Sequence, residues 1–134
     1  MARILVVDDD RAVRATLKVL LERIGHQVLT AEDGRRGLNS IVSEQFDLVI
    51  IDIFMPEMDG FETIRMVRKS NLSMPIVVMS GASAAAAASP DFLSMATKLG
   101  AVRSLQKPFN PTALHDVVEA CLRSAHGGSG NETR

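Results

Sequence analysis

Three stretches constrain this chain more than any others: "RILVV" (3–7), "DLVIID" (47–52) and "PIVVMS" (75–80). Each has strand length, is almost continuously apolar, and is rich in valine and isoleucine. A strand with one wet face alternates polar and apolar residues, whereas a strand covered on both faces does not. Three such strands call for a parallel sheet with helices on both sides. Two further runs, "QVLTA" (27–31) and "VRSLQ" (102–106), are mixed and suit the edges of that sheet.

Helical patterns fill the gaps. Val13, Leu17, Leu20, Leu21 and Ile24 recur at helical spacing, with Gly25 as the stop. Leu38, Ile41 and Val42 mark a shorter helix. Asp59 is placed to cap a third, carrying Phe61, Ile64 and Val67. Pro90 opens a fourth, with Phe92, Met95, Ala96 and Leu99 inward and Gly100 ending it. Leu114, Val117, Val118, Cys121 and Leu122 form a last stripe, which makes Cys121 a small core residue. The order βαβαβαβαβα predicts an α/β fold: an open, five-stranded parallel sheet, doubly wound, with five helices.

A chain of 134 residues fits one domain. The tail "GGSGNETR" has no apolar residue, so the domain is expected over 1–124 with a disordered tail over 125–134. The net charge of −1 gives no electrostatic case for binding nucleic acid or an anionic membrane. A single cysteine rules out an intramolecular disulfide and suits a cytoplasmic location. No apolar run approaches the ~20 residues of a membrane span. The first residues do not read as a signal peptide, because charges flank a very short apolar run. The stretch "SGASAAAAASP" (80–90) is too short to nucleate a helix alone. It reads as a mobile loop, or as one that reorders when a nearby site is occupied.

In open α/β sheets the ligand crevice lies at the carboxyl ends of the strands. Strand one ends in Asp8, Asp9 and Asp10, strand three in Asp52, strand four in Ser80, and strand five in Lys107. Each alone has an ordinary reading. An aspartate before a helix is usually an N-cap, and Asp10 is the candidate for that role. A serine after a strand is usually a turn residue, and a lysine before proline is usually solvated. Their meeting on one sheet edge changes the weight. Clustered carboxylates favour a hard divalent ion such as Mg²⁺, which keeps several waters and shares a phosphate. A lysine supplies a mobile positive charge for phosphoryl oxygens, a serine hydroxyl donates to another, and a remaining carboxylate can act as nucleophile.

The motifs "VVDDD", "DLVIIDIFMPEMDG", "VVMSGA" and "LQKPF" together resemble the receiver domains of two-component response regulators. The resemblance covers residues 3 to about 123. It implies a flavodoxin-like fold with strand order 2-1-3-4-5, and a stand-alone module of the chemotaxis-regulator kind. Asp52 matches the phosphoacceptor. Asp9 matches the direct Mg²⁺ ligand, Asp8 acts largely through a metal-bound water, and the carbonyl of Phe54 is a further ligand. Ser80 matches the Ser/Thr that swings towards the phosphoryl group. Lys107 matches the family's lysine, with a cis bond to Pro108; Pro56 and Gly60 match the loop after the phosphoacceptor. The implied partners are a histidine kinase or histidine phosphotransfer protein, plus a downstream protein. Two positions depart from the pattern. Ser104 stands where the family often has Tyr or Phe, which removes the usual aromatic switch, and Phe54 stands where many members are polar.

The main rival is a Mg²⁺-dependent phosphatase with an aspartyl nucleophile. Such enzymes commonly need a second Asp two residues after the nucleophile, and Phe54 occupies that position. The expectation is therefore a phosphoacceptor that catalyses only its own phosphorylation and dephosphorylation. A structural domain that carries no phosphate ranks last, since every chemistry-bearing residue is present.

Overall fold

The computed structural model describes residues 1–52, 60–70, 73–80, 98, 103–106 and 110–131. Five strands form one sheet: β1 (Arg3–Val7), β2 (Gln27–Ala31), β3 (Leu48–Asp52), β4 (Ile76–Ser80) and β5 (Arg103–Gln106). All pairings are parallel, in the order β2-β1-β3-β4-β5. Four helices are described: α1 (Arg11–Arg23), α2 (Gly34–Ser43), α3 (Gly60–Ser70) and α4 (Pro111–Asn131). The fifth expected helix, from Pro90 to Gly100, lies outside the described residues except at Lys98, which is helical.

The three apolar runs are buried on both faces, and alternation sorts their residues into two cores. Ile4, Val6, Leu48, Ile50, Val77 and Met79 pack with Leu17 and Leu21 of α1 and with Leu114, Val118 and Cys121 of α4. Leu5, Val7, Val49, Ile51, Ile76 and Val78 pack with Ile64 and Val67 of α3, and Leu38 and Ile41 of α2 lie against them. Burying a Leu or Ile side chain contributes about 1.5–3 kcal/mol. The central strands therefore anchor the fold, and their carboxyl ends are held firmly. The mixed runs occupy the edges, as their patterns predict.

The helix ends follow local chemistry. The Asp10 carboxylate accepts from the backbone N–H of Ala12 (2.8 Å) and Val13 (3.3 Å), so it caps α1. Gly25 takes a positive φ of 96°, which favours glycine and turns the chain into β2.

Three features differ from the sequence expectations. Ile24 is 41% exposed and Val42 77% exposed, although both belong to the apolar spacings that mark these helices. Ile24 lies past the last turn of α1. In α2 the inward stripe runs through Gly34, Gly37, Leu38 and Ile41, which leaves Val42 at its margin. Gly37 sets this approach: a Cβ there would stand 2.8 Å from Cγ2 of Val7. Thirdly, α4 is helical to Asn131, within the stretch expected as a tail. Extending an existing helix needs no new nucleus, even through residues of poor propensity. Residues 132–134 lie outside the described residues.

Candidate functional site

Parallel pairing brings the strand ends to one edge in register. Val7 pairs with Ile51, so Asp8 stands level with Asp52. Asp52 pairs with Met79, which places Ser80 one step beyond, and Ser80 pairs with Gln106, the residue before Lys107. Asp8 extends β1 by donating its backbone N–H to the Ala31 carbonyl (3.1 Å).

Asp8, Asp9 and Asp52 each offer a carboxylate oxygen, and the three lie within 4.8 Å of one another. Asp8 and Asp52 are buried, at 0% and 4% exposure, while Asp9 is exposed. The cluster thus has a buried floor of two carboxylates and a solvent-facing third. An all-oxygen donor set of this size fits a hard divalent cation that keeps part of its water shell. The metal-ligand group foreseen from the sequence is therefore brought together at three of its four members.

The fourth, Phe54, lies outside the described residues, as do Pro56, Lys107, Pro108 and residues 81–89. The backbone of Ser80 is the last residue of β4, and Gly60 opens α3. Ser104 is exposed on the edge strand β5, paired with Val78.

Several contacts escape a reading of the sequence. The Arg14 guanidinium donates from Nη1 to the Asp8 carbonyl (2.7 Å), and the Asp10 N–H donates to Asp8 Oδ1 (2.8 Å). The position of Arg14, four residues after the cap, was the available signal. At the opposite sheet edge, buried His26 accepts from the Ala2 N–H through Nδ1 (3.1 Å), with Nε2 3.4 Å from Glu119 Oε2. A cavity of about 480 Å³ opens there, beside His26, Asp47 and Glu119. It lies at the amino ends of the strands, away from the carboxylates.

Burial pushes the Cys121 thiol above its ordinary pKa, against the pull of nearby Arg103. Burial likewise lowers the Arg68 guanidinium below its usual value.

Comparison with known proteins places this geometry. The response regulator receiver domain model matches residues 4–119. The chain is 34% identical over 122 residues to the alkaline phosphatase synthesis transcriptional regulatory protein PhoP of Bacillus subtilis, covering 90% of this chain and 48% of that protein. It is 34% identical over 126 residues to the transcriptional regulatory protein CpxR of Escherichia coli, covering 94% of this chain and 51% of CpxR. The chain thus spans about half the length of the curated relatives it matches. The solved chemotaxis protein CheY4 of Vibrio cholerae superposes with a TM-score of 0.84 at 34% identity, covering 91% of this chain and 99% of that one.

Proposed function

Since the chain belongs to the response regulator receiver family, we propose that it accepts a phosphoryl group on Asp52 from a histidine kinase or histidine phosphotransfer protein. The observation that carries this reading is the level pairing of buried Asp8 and Asp52, with Asp9 completing the oxygen cluster.

Asp52 ends a strand buried along its length, so its carboxylate is held still for attack. Its oxygen attacks phosphorus as the bond from phosphorus to the donor histidine nitrogen breaks, and the freed imidazole leaves with the donor. Asp8, Asp9, Asp52 and the Phe54 carbonyl would hold Mg²⁺. When bound, Mg²⁺ offsets charge on the phosphoryl oxygens. Lys107 supplies a second positive charge at the same oxygens, and the Ser80 hydroxyl donates to one of them. Receiver folding of residues 1–124, a cytoplasmic location and the absence of direct nucleic-acid contact belong to the same reading. Phosphorylation then alters the binding of a downstream protein or passes the phosphate on. With Ser104 in place of an aromatic switch, the change is routed through residues 81–89.

Phe54 argues against the phosphatase alternative, because a phenyl ring can neither donate nor accept the proton that turnover requires. The test is incubation of the purified chain with a small phosphodonor, with Mg²⁺ or with chelator, followed by intact mass. The reading predicts one added phosphoryl group with Mg²⁺ and almost none with chelator. Catalytic turnover of the donor without a phosphorylated protein would favour the phosphatase.

A further inference from the structure

Asp9 poses a positioning problem. It is the exposed member of the carboxylate cluster, so packing does little to hold its side chain. Its backbone neighbours, however, are tied on both sides. The Asp10 N–H donates to Asp8 Oδ1 at 2.8 Å. The Arg14 N–H donates to the Asp10 carbonyl at 3.0 Å. The Arg14 side chain returns from Nη1 to the Asp8 carbonyl at 2.7 Å. These bonds close a ring that starts at Asp8, runs through Asp10 and Arg14, and comes back to Asp8. Asp9 lies between the two residues so tied.

We propose that Arg14 is a positioning residue for the metal site: its guanidinium clamps the Asp8 carbonyl and so fixes the turn that presents Asp8 and Asp9. This inference rests on the Mg²⁺ reading given above. The guanidinium is suited to the task because it is planar, permanently charged and rich in donors, and charge-assisted bonds to a carbonyl are short and strong. Loss of a partner that orients metal ligands from outside the coordination shell typically costs about 10–100-fold in affinity.

A positive charge near a dication repels it, so by Coulomb's law alone removal of Arg14 should tighten Mg²⁺ binding. If Arg14 holds the turn, removal should weaken binding instead. The chain contains no tryptophan or tyrosine, so calorimetric titration of Mg²⁺ is the suitable assay. Arg14→Ala is expected to bind about tenfold more weakly than wild type. Arg14→Lys keeps the charge and a donor able to reach a carbonyl, and should recover most of that loss. Amide exchange in chelator should accelerate at residues 9 and 10 in the alanine variant. Unchanged or tighter binding by Arg14→Ala overturns the proposal. If Arg14→Ala does not fold, Arg14→Gln takes its place with the same expected direction, and unchanged or tighter binding there is equally fatal. Failure of the wild type itself to bind Mg²⁺ removes the metal reading and this inference with it, a result distinct from a wild type that binds and an insensitive variant.

Discussion

Asp9→Asn should stabilise the metal-free protein. The substitution keeps the shape of the side chain and removes one of three charges. The oxygens of Asp8, Asp9 and Asp52 lie within 4.8 Å of one another. At that separation two unit charges repel by about 0.9 kcal/mol in bulk water and about 3.5 kcal/mol at an effective dielectric of 20. Asp9 is exposed, so the water value is the better guide. Two repulsions are relieved, one to Asp8 and one to Asp52, for a gain of about 2 kcal/mol. Against this, a carboxylate near the start of α1 is favoured by the helix dipole by about 0.3–1 kcal/mol, and that is lost. The net expectation is about 1 kcal/mol of added stability, a rise of roughly 3–5 °C in Tm for a domain of this size. Ordinary salt does little to a pair at this distance, which is shorter than the Debye length of about 10 Å. The assay is calorimetric or circular-dichroism melting, in chelator and then in excess Mg²⁺. Wild type should gain about 1.4 kcal/mol when free Mg²⁺ is ten times Kd, and the variant clearly less. A variant that melts well below wild type in chelator, or gains as much from Mg²⁺, would refute the cluster as a repulsive metal site.

Lys107→Ala should leave Mg²⁺ affinity nearly unchanged while reducing the difference in amide exchange between phosphorylated and unphosphorylated protein; an undiminished difference makes Lys107 a surface residue. Phe54→Asn should shorten the half-life of the phosphorylated protein, since a phenyl ring beside Asp52 would limit the entry of attacking water and a polar group can orient it, and about 1.4 kcal/mol off the barrier is a tenfold change; an equal or longer half-life shows that Phe54 does not limit that entry. The Cys121 thiol is raised by burial, so the folded state favours its protonated form. The stability this lends is complete below the ordinary thiol pKa of the unfolded chain and is lost as pH rises through the higher folded value. Urea stability of wild type should therefore fall more steeply above neutral pH than that of Cys121→Ala, and parallel curves would contradict the assignment.

The sheet was legible because its signal is local. A central parallel strand must be apolar on both faces, and "LVIID" and "IVVMS" say so without reference to the rest of the chain. The same holds for the Asp10 cap, whose partners lie two and three residues away. Strand order came from family resemblance, since periodicity does not choose among topologies. Apart from the short-range bonds that Asp8 accepts from Asp10 and Arg14, what escaped the sequence depends on approach between distant segments. The exposure of Val42 follows from Gly37 lying against Val7, thirty positions earlier in the chain. The bond from Ala2 to His26 joins two strand starts that only the sheet brings together. The carboxylate cluster lies between these cases. Its members were visible as strand-end aspartates, but their closeness depends on register, in which Val7 meets Ile51 and Asp8 therefore meets Asp52.

The proposed phosphorylation chemistry depends on Asp52 as the phosphoacceptor. An acyl phosphate can be trapped by borohydride, which reduces the phosphorylated carboxyl to an alcohol and marks the residue permanently. The chain should be phosphorylated with a small phosphodonor and Mg²⁺, reduced, digested and mapped by mass spectrometry. Reduction is expected at position 52 alone, dependent on Mg²⁺, with none in Asp52→Asn. Reduction at Asp8 or Asp9, or an undiminished acid-labile phosphate in Asp52→Asn, would contradict it.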